Sequence, residues 1–409
     1  MPNGFEQHTL TNGLTIIAEP DGAAHSAAVG FFVKTGARDE PTPLMGVSHF
    51  LEHMMFKGTD SMSAADINSI YDDMGARNNA YTSHEMTCFY ASVVADRLPE
   101  AIDHTAKMMR PALRESDFDT ERGVILEEIA MYADNPFWVL YESACERHHG
   151  SNPLGHRVLG TPATIQSLTR DSMAAYFDAN YAADTSVVAL AGRVDFDEAC
   201  KQIESLCGSW PKSKTPRNRQ QSTPQPSRLD IVDDRFDRGY LLMLDRAPSA
   251  QDDTRYAANL LAQIFGAQDN SRLHWALIEQ GLAEEAQAAF DPGDGTGEFF
   301  AYASGDAGQL ADIEQSIRNE AIRLADSLRE DDLERVRSRF ATAFTVSAER
   351  PADGMQRIGR RWTTLGEYRS LSEELERIRA VTVSDIRGVL ERFPLTSGTI
   401  ATLRPPAEA

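Results

Sequence analysis

The sequence predicts an α+β fold built twice: two homologous domains, each a mostly antiparallel sheet with helices packed on one face. Three observations carry this. Strand-like and helix-like stretches alternate along the first half, opening on a hairpin pair. A polar, basic, Pro-rich stretch, WPKSKTPRNRQQSTPQPSR (210–228), interrupts the apolar periodicity near the middle. Finally, the segment that precedes this break and the segment that ends the chain run through the same order of features.

Phe5 to Leu10 and Leu14 to Ala18 read as two strands paired across an Asn12-Gly13 turn. Ala27 to Lys34 (AAVGFFVK) is a third strand, rich in apolar residues. Helical stretches follow at about Met45 to Phe56 and Ala64 to Met74; Asn79 to Val94 returns to strand character and Leu98 to Met109 to helix. LTRDSMAAYFDANYAADTSVVALAG (168–192) gives a capped helix start, an aromatic, a break and an apolar strand, and VTVSDIRGVLERFPLTSGTIATL (381–403) repeats that order. The expected division is an N-terminal domain at 1–212, a linker at 213–228 and a C-terminal domain at 229–409.

Composition excludes several functions. The 409 residues carry 62 acidic against 40 basic side chains, a formal net charge of −22. Nucleic acid and anionic membrane surfaces need a basic face, so neither is expected as a partner; basic or neutral substrates fit better. No run of 18 apolar residues is present to span a membrane. The start, Met-Pro-Asn-Gly-Phe-Glu-Gln-His, resembles neither a secretory signal nor an Arg-rich transit peptide, so a cytoplasmic location is expected. Cys88, Cys145, Cys200 and Cys207 are too scattered for a disulfide framework and are expected as reduced thiols.

The chemistry concentrates in GVSHFLEHMMFKGT. On a helix, His49 and His53 lie one turn apart with Glu52 beside them, while Val47, Phe50, Leu51 and Met54 form a neighbouring apolar stripe that anchors the helix. Two imidazoles at this spacing can ligate one Zn²⁺ and leave Glu52 next to a metal-bound water, the H-x-x-E-H pattern of inverted zincins. A catalytic zinc needs a third ligand, carboxylate or imidazole, from another element. TERGVILEEIAMYADNP offers Glu121 and Glu128, two turns apart on one helix face, with Glu127 pointing about 100° away. His148-His149 diverge by the same angle and are expected as surface histidines rather than a metal pair.

With these residues in place, the chain resembles the M16 metallopeptidases, the pitrilysin, insulin-degrading and mitochondrial-processing group. That family follows HxxEH about 75 residues later by a helical Glu; here 128 − 53 = 75, with Glu121 matching its second Glu two turns earlier. LTNGLTIIAEP, GARNNAYTSHEMTCFY and YFDANYAADTSVVALAG resemble further family segments, and the two-domain size matches the short M16B type. The resemblance implies an M16 / LuxS-like metallohydrolase fold and one Zn²⁺ per chain held by His49, His53 and Glu128. It makes Glu52 the general base and Glu121 a carboxylate that orients a ligand. It also implies that Asn79, Ala80, Tyr81 and Thr82 bind peptide substrate as an added strand; read without it, they are a plain half-buried strand.

One departure is expected to matter. M16 enzymes carry an Arg and a Tyr after a Ser-Arg-Leu stretch, which help hold the scissile carbonyl. In NSRLHWALIEQGLAEEAQAAF those positions fall on Leu277 or Ile278 and on Glu284 or Glu285. The resemblance therefore implies a zinc endopeptidase subunit working as a dimer, with the Arg/Tyr pair supplied by a second M16-like chain. A non-catalytic scaffold or zinc-binding subunit of the same ancestry is the alternative.

Overall fold

The structure, a computed structural model, describes residues 4–213, 217 and 221–406. Six residues of the expected linker, 214–216 and 218–220, lie outside the described residues. Two compact units are formed. The first draws on the described residues within Met1–Ile129, His156–Arg219 and Phe344–Leu371, the second on those within Ala130–Gly155, Gln220–Ala343 and Ser372–Ala409. Each unit thus includes a helix from the other half of the sequence.

The first unit holds a six-stranded sheet of β1 (Glu6–Thr9), β2 (Thr15–Pro20), β3 (Ser26–Val33), β4 (Arg77–Thr82), β5 (Thr87–Val94) and β6 (Ser186–Gly192), in the order β1-β2-β6-β3-β5-β4. β2 and β6 run parallel, and every other neighbouring pair is antiparallel. The second unit holds β7 (Ser227–Val232), β8 (Gly239–Arg246), β9 (Glu285–Gly293), β10 (Thr296–Gly305) and β11 (Thr399–Arg404), in the order β7-β11-β8-β10-β9. Here β7 and β11 are the parallel pair and the rest are antiparallel. Matching β2 through β6 with β7 through β11 reproduces every neighbour and every direction, so the topology is duplicated. The two stretches matched in the sequence end on the equivalent strands β6 and β11.

Alternation along the strands divides each sheet into two apolar faces. In the first unit Val29, Phe31, Phe89 and Leu190 join Phe50, Leu51 and Met54 of the helix Val47–Met55 in one core. On the other face Phe32, Cys88 and Ala189 pack against Met355 and Ile358 of the helix Pro351–Leu365. The second unit repeats the plan, with Leu140, Ala144 and Cys145 of the helix Pro136–His149 covering Leu242, Leu244 and Leu403. Helices thus lie mainly on one face, as expected, and each sheet carries one more on its other face.

Among the described residues no helix is long and apolar enough to cross a membrane. All four cysteines are free.

Candidate metal centre

The helix Val47–Met55 is placed by its apolar stripe and by its start. Gly46 takes φ +94°, where a Cβ would collide with the Leu159 carbonyl oxygen. The first-turn amides are then satisfied from outside the helix: Glu40, 2% exposed, accepts from the Gly46 and Ser48 N–H groups, each at 2.7 Å. Glu40→Ala leaves both donors unpaired and should cost about 1–3 kcal/mol of unfolding free energy. Urea titration reads this directly, and a loss below about 0.5 kcal/mol, the size of a neutral surface change, would mean the cap carries no weight.

Against this helix lies the helix Glu115–Ala133, which buries Phe118, Glu121 and Ile125. Phe118 stacks on Phe50 with ring centroids 4.7 Å apart and planes 7° from parallel. That contact sets one helix against the other, and nearly three further turns along the helix bring Glu128 to the imidazoles. Glu128 Oε2 lies 3.7 Å from His49 Nε2 and 3.5 Å from His53 Nε2. Glu127 is exposed, as its direction on the helix required.

Glu121 Oε1 lies 2.8 Å from His53 Nδ1, and its Oε2 lies 2.5 Å from Lys57 Nζ. A carboxylate can only accept, so this bond assigns the proton to Nδ1 and leaves the Nε2 lone pair facing Glu128. Glu52 is not in the donor cluster. Its Oε2 accepts from Thr82 Oγ1 at 2.6 Å, which holds the carboxylate against the last residue of β4.

The electrostatics follow the geometry. Burial, reinforced by the charge of His53, pushes His49 down to about 3, so its ring is neutral and free to ligate at neutral pH. Burial opposes charging of His53, but the bond and charge of Glu121, with the charges of Glu128 and Glu52, raise its pKa overall. Burial raises the Glu52 carboxyl above the usual carboxylate range, partly offset by the Thr82 bond. Burial would raise Glu121 too, yet its bonds to His53 and Lys57 bring it below that range.

These residues fit a metal ion. His49, His53 and Glu128 each offer a ligand atom, all within 4.8 Å of one another. Ligands about 2.0–2.2 Å from a tetrahedral zinc stand roughly 3.4 Å apart, close to the observed imidazole-to-carboxylate separations. The two-His, one-carboxylate donor set is that of a catalytic rather than a structural zinc.

Residues 15–161 match the family model of Insulinase (Peptidase family M16), and residues 167–340 match that of the Peptidase M16 inactive domain. An uncharacterized zinc protease of Streptomyces coelicolor is 32% identical over 93% of this chain and 85% of its own length. The chain belongs to peptidase family M16. YmxG of Bacillus subtilis, also named a zinc protease, is 27% identical over 98% of each chain. In fold, this M16 chain is similar to a protease from Helicobacter pylori, with a TM-score of 0.92 at 20% identity, covering 99% of this chain and 100% of that one. A peptidase M16 inactive domain from Pseudomonas fluorescens superposes with a TM-score of 0.90 at 16% identity, over 99% and 98%.

In this M16 chain the helix between β8 and β9, Arg255–Gly266, occupies the topological place of the HxxEH helix. It buries Ala258, Leu261, Ala262 and Phe265 and carries no His or Glu. At the positions that the resemblance gives for an Arg and a Tyr, Leu277 is fully buried and Glu284 pairs with Arg238. Arg272 is bound to Asp332 at 2.7 Å and to the Ser327 carbonyl at 3.1 Å.

The expectation of surface histidines at 148 and 149 is corrected. His148 Nδ1 meets Thr399 Oγ1 at 2.9 Å in a buried position, and His149 Nε2 lies 2.5 Å from Glu298 Oε1. The helix that carries them is covered by the second sheet, which adjacent histidines in a sequence do not reveal. The sequence marks Thr82 only as part of a strand edge, and Glu40 and Lys57 not at all. Lys57, one turn beyond His53, was the legible one; Glu40 reads as any loop carboxylate.

Proposed function

We propose that this chain is the catalytic subunit of a zinc-dependent endopeptidase that hydrolyses peptides or unfolded protein segments. The observation that carries the reading is the division of labour on one helix. His49 and His53 converge with Glu128 as donors, while Glu52, one residue away, is kept off the cluster by Thr82. A purely structural site has no need of a carboxylate so placed. The relatives named zinc proteases support it.

His49, His53 and Glu128 would hold one Zn²⁺, which supplies a water that ionises near neutral pH and polarises the scissile carbonyl. Glu52, its affinity for a proton raised by burial, takes the proton from the attacking water and returns it to the leaving amine. Glu121 keeps His53 in the tautomer that ligates through Nε2, and Lys57 holds Glu121 in turn. Asn79, Ala80, Tyr81 and Thr82 would take the peptide as an added strand, since β4 ends the sheet and pairs only with β5 among the described strands. Backbone pairing of this kind tolerates many sequences.

Nothing cationic stands at the two family positions that would steady the oxyanion, so a second, M16-like chain bearing Arg and Tyr completes the enzyme. The purified chain, loaded with zinc, should cleave unstructured peptides; chelation should stop it and added zinc restore it. Stoichiometric zinc with no cleavage, alone or with partner chains, would instead support the scaffold reading.

A further inference from the structure

We propose that Arg360 determines specificity at the β4 edge, receiving an acidic side chain of the bound peptide on the sheet face turned away from Glu52. The inference rests on the reading that substrate pairs with β4.

Successive residues of β4 face opposite sides of the sheet. Ala80 packs with the core that includes Phe50 and Met54, and Thr82 bonds to Glu52, so these two define the catalytic face. Tyr81 joins the opposite face, with Met355 and Ile358. A strand added at this edge keeps the same alternation. Its alternate side chains therefore meet Tyr81 and the helix Pro351–Leu365 rather than the metal donors.

Arg360 is fixed at that place. Its Nε donates to Tyr81 Oη at 2.9 Å, and its guanidinium carbon sits 4.6 Å from the centroid of the Tyr81 ring. Tyr81 Oη in turn donates to Gln356 Oε1 at 3.0 Å. These bonds use the Nε edge of the guanidinium and leave its two Nη groups without a hydrogen-bond partner among the described residues. Two N–H donors side by side form the fork that a carboxylate binds at both oxygens.

The neighbouring arginines are neutralised. Arg357 pairs with Glu19, Arg361 with Glu367 at 2.5 Å and Arg369 with the same Glu367 at 3.3 Å. Arg360 has only neutral partners, and Arg77, on the same strand face as Tyr81, pairs with no carboxylate among the described residues. In a chain of net charge −22, two uncompensated arginines along one side of an edge strand form a local exception. The overall charge favours basic or neutral peptides, and this edge asks for one acidic residue within them.

The test uses unstructured peptides that differ only in carrying Glu, Gln or Lys at each position around the cleaved bond. With the zinc-loaded full chain, Glu at one position should raise kcat/KM about fivefold over Gln, the scale of a partly exposed ion pair. Arg360→Gln should bring that ratio to about one, Arg360→Glu should move the preference to Lys, and Arg360→Lys should restore part of it. The same peptides are also titrated by fluorescence anisotropy onto Glu52→Gln, alone and combined with Arg360→Gln. A Glu preference in binding that depends on Arg360, with no cleavage by the parent chain, keeps the subsite and removes the peptidase reading. Glu-to-Gln ratios unchanged by Arg360→Gln and Arg360→Glu, in cleavage or in binding, overturn the proposal.

Discussion

Glu52→Gln should keep its zinc and lose peptide hydrolysis by at least ~10²-fold, the scale of losing a positioned general base. The carboxamide has nearly the shape of the carboxylate and can still accept from Thr82 Oγ1, so the helix Val47–Met55 and its donors are left where they are. What disappears is a group able to take a proton from water and pass it on. Metal analysis beside a peptide assay separates the two effects. Loss of zinc together with activity would show that Glu52 is a ligand and that the division between donors and base is wrong.

The second large effect concerns the missing cation. A tetrahedral intermediate carries negative charge on the former carbonyl oxygen, and one preorganised donor to it is worth about 10²–10³ in rate. Leu277 is fully buried, Glu284 is tied to Arg238 and Arg272 to Asp332, so no free donor stands at the positions that the resemblance gives for the Arg and Tyr. The chain alone should therefore be slow. Addition of an M16-like chain carrying both residues should raise kcat by about that factor, with little change when the partner's own Arg and Tyr are replaced by Leu and Phe. Rapid hydrolysis by the lone chain, improved by no partner, would remove the need for a second subunit.

Sequence reading reached far in this molecule because its signals are local. His49, Glu52 and His53 share one helix face by spacing alone, and Glu121 and Glu128 share another, so two short segments carry the whole donor set. The paired strands and the repeated helix-then-strand ending were legible from alternation and turn residues for the same reason. What escaped depends on contacts between distant segments. The amphipathic pattern of Pro351–Leu365 demands a partner but does not say that it is the far face of the first sheet. Nor does any spacing announce that Thr82 restrains Glu52 from 30 residues away, or that Glu40 caps the helix that follows it. The cap is two hydrogen bonds and the restraint one, each between separate segments, and a Glu in a loop or a Thr at a strand end looks the same in sequence whether it makes such a bond or faces water.

The most direct test of the metal assignment is anomalous diffraction at the zinc edge from crystals grown with zinc. One strong peak per chain is expected, about 2.0–2.2 Å from a ring nitrogen of His49, a ring nitrogen of His53 and a carboxylate oxygen of Glu128, with Glu52 outside ligand distance. A peak elsewhere, or any of those three side chains turned away from it, would rule out this metal site.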